Sequence, residues 1–449
     1  MKTNLTVAFA ILAVTGAFAQ PTATVTSTRQ SWAAKPLTVN YTLADGEAIV
    51  TVDIQTNGVS IGAANQLSVS GDVNRVVQDG PRSFKWYPPA GWYGESPDPA
   101  LQVGVKLTVW TKDAPPDYMV IDLDGSKNIE YFTSEDALPL GIGSDVYRTD
   151  KLVLRRVPAK GRSFRMGASG IYEFNNGNDN NQRIARRVAF THDYYLGVFE
   201  VTQGQYAKVY ANQHPSIFKR TDCRDTRPVE HVEYFDLLDA SAWPNDDIEK
   251  AVADSNSKFF SNIRTKTGLD YHLALPTEAQ WEFACRAGEP YARGVGMETP
   301  RVEDVESIVA EIARYSGNGG ATPDTADNGN STDNIIKESA EEYATWDTTK
   351  GTARVGSYRP NDWGLYDMFG NVAEMCHDFI NYNSALPPSS VDPVGLAKDK
   401  NGNATYRVTR GGSCRQDATV MNAAFKGTQQ CWLHSASEFV GFRVCYNLP

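Results

Sequence analysis

The stretch Trp363-Gly364-Leu365-Tyr366-Asp367-Met368-Phe369-Gly370-Asn371-Val372-Ala373-Glu374-Met375-Cys376-His377-Asp378 decides how the second half of this chain folds. Gly364 and Gly370 punctuate it, so a helix does not run through it. It is no polar surface loop either, because Leu365, Tyr366, Met368, Phe369, Val372 and Met375 are residues that bury. An irregular, buried segment meets both conditions, and its backbone groups must find partners outside a regular ladder. A hard cation is one such partner, and Asp367 and Glu374, on either side of a glycine turn, supply charged oxygens for it. Two surface carboxylates beside a tight turn are the competing reading, and spacing alone does not choose between them.

Upstream of this stretch, Thr202 reads as an N-cap for a short helix through Tyr210, with Gln205 completing a capping box. Thr277 caps a second helix starting at Glu278, with Gln280 in the same role. Ala279, Trp281, Phe283 and Ala284 on that helix require burial on more than one side. Asn175–Asn181 and Asn318–Asn334 are polar, turn-rich loops. Residues 20–135 read differently. Leu37–Leu43, Ala48–Ile54, Arg82–Tyr87 and Val103–Trp110 are strand patterns, broken by Asp45-Gly46 and Asn57-Gly58 turn signals. Tyr118–Leu123 and Lys151–Val157 are two more. Short strands with no helical period predict an all-β sandwich of immunoglobulin-like type over 20–145, either a docking module or a spacer. The boundary falls within 135–155, and a second, α+β domain occupies 150–449.

At 449 residues, two domains are the natural expectation. The 41% hydrophobic and 22% charged composition is that of a globular protein. A net charge of −11 is unsuited to nucleic acid or an anionic membrane as partner. Lys2, the apolar run Leu5–Phe18 and Ala17-Phe18-Ala19 form a secretory signal pattern, so 1–19 is read as a leader cleaved near Ala19. The mature protein is then secreted or periplasmic, with no later run long enough to span a bilayer. Cys223, Cys285, Cys376, Cys414, Cys431 and Cys445 all lie after residue 220. Export permits disulfides, and Cys414 with Cys431 is the pair to test first, with buried free thiols as the alternative. The spacing offers no Cys-x-x-Cys metal motif, and each of the six histidines reads as an ordinary surface or hydrogen-bonded residue.

Four ordered segments carry a resemblance. Gly364–Glu374, Leu275–Gly288, Arg410-Gly411-Gly412-Ser413 followed by Gly441–Val444, and Phe199–Tyr206 with Met166-Gly167 upstream resemble the formylglycine-generating enzyme family, the sulfatase-modifying factors. The resemblance implies an irregular α+β, C-type-lectin-like fold. It also implies calcium oxygens at Asp367, Gly370, Val372 and Glu374, one structural site. A second family calcium position, around Ala313–Asn318, is opposed by the charge of Arg314. Oxidase members hold copper(I) with two cysteines after the Arg-Gly-Gly-Ser motif, and soft thiolates select that ion. Those positions fall here on Gln416 and Met421, or on Asp417 in a shorter register, and none is a cysteine. The family tryptophan is Ala373 and the family asparagine is Phe439, which leaves Ser413, with Cys414 beside it, as the substrate-binding candidates. The expectation is therefore a pseudoenzyme, a calcium-stabilised module for a protein, peptide or glycan ligand. Its contact loops would offer Tyr172, Phe174, Tyr315, Phe425, Trp432 and Phe439. The alternative is an oxidoreductase that converts a cysteine in a peptide (sulfatase) to formylglycine through a rebuilt thiol site.

Overall fold

The computed structural model describes residues 20–30, 36–89, 103–167, 186–210, 213–218, 223–238, 258–289, 302–318, 351–379, 390–394, 406–425, 431–432 and 436–448. The leader read at 1–19 lies outside them. Contacts divide the chain into Met1–Thr111 and Lys112–Pro449.

In the first unit, alternation becomes facing. Strand β2 (Leu37–Ala44) buries Leu37, Val39, Tyr41 and Leu43 while the intervening residues point outward. It lies between β1 (Thr22–Gln30) and β7 (Gly80–Trp86), and β7 also pairs with β5 (Val69–Gly71). A second sheet is built on β3 (Ala48–Thr56), flanked by β4 (Val59–Ser60), β6 (Arg75–Val77) and β8 (Val103–Trp110). The β3–β4 hairpin turns at Asn57 and Gly58, both at positive φ (49° and 80°), as its tight two-residue loop requires. Side chains of β2, β3 and β7 share one hydrophobic cluster, with Trp86 fully buried and its Nε1 donating to the Asn65 carbonyl at 3.1 Å.

The second unit is strand-rich with few helices. Its main sheet is antiparallel and runs β10 (Ile129–Phe132), β9 (Tyr118–Asp122), β11 (Lys151–Val157), β14 (Tyr194–Gly197), β22 (Cys445–Asn447), β15 (Leu273–Ala274). Two strands read from the sequence, 118–123 and 151–157, are thus neighbours here. A smaller sheet orders β20 (Cys431–Trp432), β19 (Tyr406–Arg410), β18 (Ala373–Phe379) and β21 (Val440–Gly441). Both expected capping boxes form. Thr202 accepts from Gln205 N, and Thr277 accepts from Gln280 N, while each glutamine reaches back to its cap. Helix Glu278–Arg286 is buried on every side except near Gln280, with Trp281 and Ala284 at zero exposure. Among the described residues no helix is long and apolar enough to cross a membrane.

Candidate functional site

The central stretch is irregular and buried, as its composition requires. Asp367 (φ 55°), Gly370 (φ 72°) and Asn371 (φ 54°) all take left-handed backbone. Phe369–Gly370, strand β17, pairs in parallel with Ala313–Arg314, strand β16, and the approach is close. A Cβ on Gly370 would lie 2.1 Å from the Arg314 carbonyl oxygen, so glycine is required there. The backbone finds scattered partners. Tyr366 N donates to Val198 O, Gly370 N to Gly411 O and Asn371 N to Arg314 O, while Asn371 O accepts from Cys414 N. Arg314, at the doubtful second calcium position, spends Nε on the Gly351 carbonyl at 3.0 Å and Nη1 on that of Asn318.

The structure brings three carboxylates into electrostatic contact around Arg443. Glu374 is fully engaged: Arg443 Nη2 donates to its Oε1 at 2.6 Å, Arg443 Nε to Oε2 at 2.9 Å, and Trp281 Nε1 to Oε2 at 2.7 Å. Asp367 accepts from Gly356 N at 2.6 Å through Oδ2, but its buried Oδ1 has no partner. Burial pushes the Asp367 carboxyl up to about 6, against the pull of the Gly356 N–H, Arg443 and Arg148. The third member, Glu200, is not signalled by the sequence reading. It is fully buried, accepts from Val372 N at 3.0 Å and Asn371 Nδ2 at 2.6 Å, and so clamps the turn that carries Gly370 and Val372. Burial first, then Asp367 and Glu374, hold its carboxyl well above the usual range. Its signal was a lone acid between Phe199 and Val201, a charge in an apolar run just before a helix cap.

A second buried charge cluster joins two of the other motifs. Arg410 pairs with Glu278 and, at 3.2 Å, with Glu282 Oε2, and its Nη1 donates to the Ala423 carbonyl at 2.5 Å. Glu282 Oε1 accepts from Gly167 N and Arg286 Nη2, each at 2.8 Å. The ends of helix Glu278–Arg286, the Met166-Gly167 segment and the Arg410 strand are thereby fastened together.

The Ser413 loop is compact. Ser413 is buried, with its N–H on Gln416 Oε1 at 2.9 Å and its Oγ unpartnered. Gln416 and Met421 converge over Gly412, since an ideal Cβ there would lie 3.3 Å from Gln416 Oε1 and 2.8 Å from Met421 Sδ. An amide and a thioether thus lie together against Gly412 in this loop. Cys414 is a free thiol packed between Phe218 and Phe439, and burial pushes it up to about 12. A buried, protonated thiol is unreactive. Cys431 lies on β20, and its side chain is outside the described residues. Cys285, Cys376 and Cys445 are buried free thiols, and Cys223 is buried as well.

Three of the aromatics expected at loop tips are instead interior: Tyr315, Phe425 and Phe439 are 4%, 3% and 2% exposed. Each has the apolar area to fill the gaps between short strands, and packing inside releases more free energy than display. Tyr172 and Phe174 lie outside the described residues, as does the side chain of Trp432. Near Cys414, Glu230 is buried and accepts from Ile217 N and Phe218 N, both at 3.1 Å, and burial holds it at about 8. A raised folded-state pKa contributes stability that is complete below the unfolded value near 4.5 and is lost as pH rises to about 8. Urea midpoints of the full chain are accordingly expected to fall across this window, and Glu230→Gln is expected to flatten the slope. An unchanged slope in the variant would assign the pH dependence elsewhere.

Comparison with known proteins follows the same residues. The family model described as the sulfatase-modifying factor enzyme 1-like domain matches residues 155–448. Chaperone protein LppX of Paenibacillus barcinonensis is 29% identical over 205 residues, covering 42% of this chain and 64% of that protein. A formylglycine-generating enzyme of Thermomonospora curvata is 33% identical over 174 residues, covering 38% and 48%. The aligned stretches thus span less than two thirds of these relatives' own length. Among solved structures, Treponema denticola variable protein 1 aligns with a TM-score of 0.43 and 19% identity, over 66% of this chain and 95% of that one. With the family match covering well over half of it, the chain belongs to the sulfatase-modifying factor enzyme 1-like domain family.

Proposed function

We propose that this chain is an exported binding module of its family, stabilised by one calcium ion, which takes a protein, peptide or glycan ligand and lacks the family's oxidase chemistry. The observation that carries this reading is the donor set over Gly412. Gln416 Oε1 and Met421 Sδ are the atoms there, and neither is the thiolate that copper(I) activation calls for. Cys414, the nearest thiol in sequence, is buried and protonated. In this reading the first unit is an immunoglobulin-like sandwich and the second a C-type-lectin-like domain. A relative named as a chaperone favours a protein as the ligand.

Calcium fits the residues in kind. The unpartnered Asp367 Oδ1 is a buried anionic oxygen that a hard cation would satisfy, and Gly370 and Val372 add carbonyls held in place by Glu200. Glu374 would have to share its oxygens with the Arg443 guanidinium. Chelation is expected to lower the melting temperature of the full chain by on the order of 5 °C relative to saturating calcium. Asp367→Ala is expected to lose that dependence, and a wild-type melting curve indifferent to chelator would remove calcium from the reading. Copper(I) titration tests the other half. No stoichiometric binding is expected, whereas a one-to-one site would favour the oxidoreductase with its rebuilt thiol site. Peptide and glycan binding screens then identify the ligand.

A further inference from the structure

A cavity of about 270 Å³ opens in the second unit, walled by Phe190, Leu238, Tyr271, Leu275, Val394 and Leu448. It shares no lining residue with the central-stretch positions Asp367, Gly370, Val372 and Glu374, nor with Ser413 and Cys414. The family reading therefore makes no use of it. Its size falls between a cavity of about 150 Å³ that takes a benzene and the pockets of about 300 Å³ upward that take larger ligands.

The charged groups on its wall are already engaged by the protein itself. Asp193 accepts from Lys160 N at 2.7 Å and Arg156 Nη1 at 3.2 Å, and Asp392 accepts from Thr191 N at 2.9 Å. Arg264 donates to the carbonyls of Leu273 and Tyr271, and His272 faces Asp270 at 3.0 Å. His377, also on the wall, is pushed down to about 3 by burial and by Arg407, so its imidazole is neutral. Asp193 and Asp392 are balanced by Arg264 on the same wall and by Arg156 on Asp193, so a charged ligand would give up its hydration here for no net counter-charge, and the occupant is neutral.

Two aromatic runs end at this cavity. Phe190 stacks on Phe164 with centroids 6.0 Å apart and leans on Phe283 at 5.0 Å. Tyr271 lies against His272 at 4.3 Å, and His272 meets Tyr446 edge-on at 6.2 Å. A ring placed between such walls extends both runs in geometries that aromatic pairs prefer. One polar feature orients it. Asn447 Oδ1 is held by Gln280 Nε2 at 2.6 Å, and Gln280 Oε1 is held by Thr277 N at 2.9 Å. Once its oxygen is held, the polar group that Asn447 brings to the cavity is its NH2 donor.

We propose that this cavity is a binding site for a neutral aromatic group of one or two rings that carries a hydrogen-bond acceptor, either a free small molecule or an aromatic residue of a peptide. The test uses the full chain and saturation-transfer NMR. Indole and p-cresol serve as free aromatics, N-acetyl-tryptophanamide as the peptide-borne form, and benzoate, benzylamine and cyclohexanol as comparators. The neutral aromatics are expected to bind at least about tenfold more tightly than the comparators, and Ala274→Trp, which fills the cavity from its β15 wall, to weaken them by about tenfold or more. Leu238→Trp fills it from another wall should the first variant not fold. Shifts of the His272 and His377 ring resonances on adding indole to the unmutated chain give the same reading without any substitution. Binding of N-acetyl-tryptophanamide as tight as indole assigns the site to a peptide residue, and its exclusion while indole binds assigns it to a free molecule. No binding by any neutral aromatic, or undiminished binding in a folded filled variant, overturns the proposal.

Discussion

Replacing Arg443 by Met is expected to cost the second unit about 3–5 kcal/mol of unfolding free energy, read from urea titration of the full chain. The side chain is fully buried and donates to Glu374, to the carbonyls of Gly197 and Val198 at 2.7 and 3.1 Å, and to that of Tyr366 at 2.8 Å. Methionine has the length to fill the space but none of the donors, and it leaves the Glu374 carboxyl beside Asp367 and Glu200 without its cationic partner in a dry interior. The loss therefore comes mainly from the carboxylates left behind. Adding Glu374→Leu to the Arg443 variant is expected to recover part of the stability, because the abandoned charge goes with it. A single-variant loss below about 1 kcal/mol would show that Arg443 is not what neutralises the three acids.

Arg410→Met is expected to cost a similar amount, on the order of 3–5 kcal/mol, by a different route. Arg410 sits between Glu278 and Glu282, which are one helical turn apart on the same helix. Without it those carboxylates repel within a buried helix, and Arg286 on Glu282 is the remaining guanidinium paired there. Circular dichroism and near-ultraviolet spectra should move together, since Trp281 lies on that helix and ties to Glu374. Glu278→Gln in the same background is expected to restore part of the loss, and no restoration would place the defect at the Ala423 and Phe425 carbonyls that Arg410 also holds.

Much of the strand content was legible because short apolar and β-branched runs lie between turn signals, and in Leu37–Ala44 they alternate cleanly. Leu37–Ala44 and Lys151–Val157 match their sequence patterns almost residue for residue, and the capping boxes at Thr202 and Thr277 formed as read. Partners were not legible, because a strand pattern says which face is buried and not which strand lies alongside. Tyr118–Asp122 pairs with Lys151–Val157 across an intervening segment that local pattern could not bridge. Helices Phe259–Thr267 and Val302–Ile312 lack the Ser/Thr-x-x-Glu/Gln start that marks the other two, so the sequence does not announce them. At the site, the central stretch announced itself through apolar residues around two glycines. Glu200 and Arg443 did not, since their partners lie more than 60 residues away in the chain and a lone buried charge is known only by what it meets. Tyr315, Phe425 and Phe439 show the converse error, in which a loop position was read as exposure although short irregular segments here supply core.

The place of β22 sets the order in which this protein can finish itself. Cys445–Asn447 lies between β14 and β15, and Arg443 just before it carries the guanidinium that the three carboxylates face. During synthesis β14 and β15 are made before residues 443–447, so until that segment emerges they lack the strand that joins them and the acids lack their cation. The second unit is thus joined by contacts distant in the chain, which are slower to form than those within a hairpin or helix.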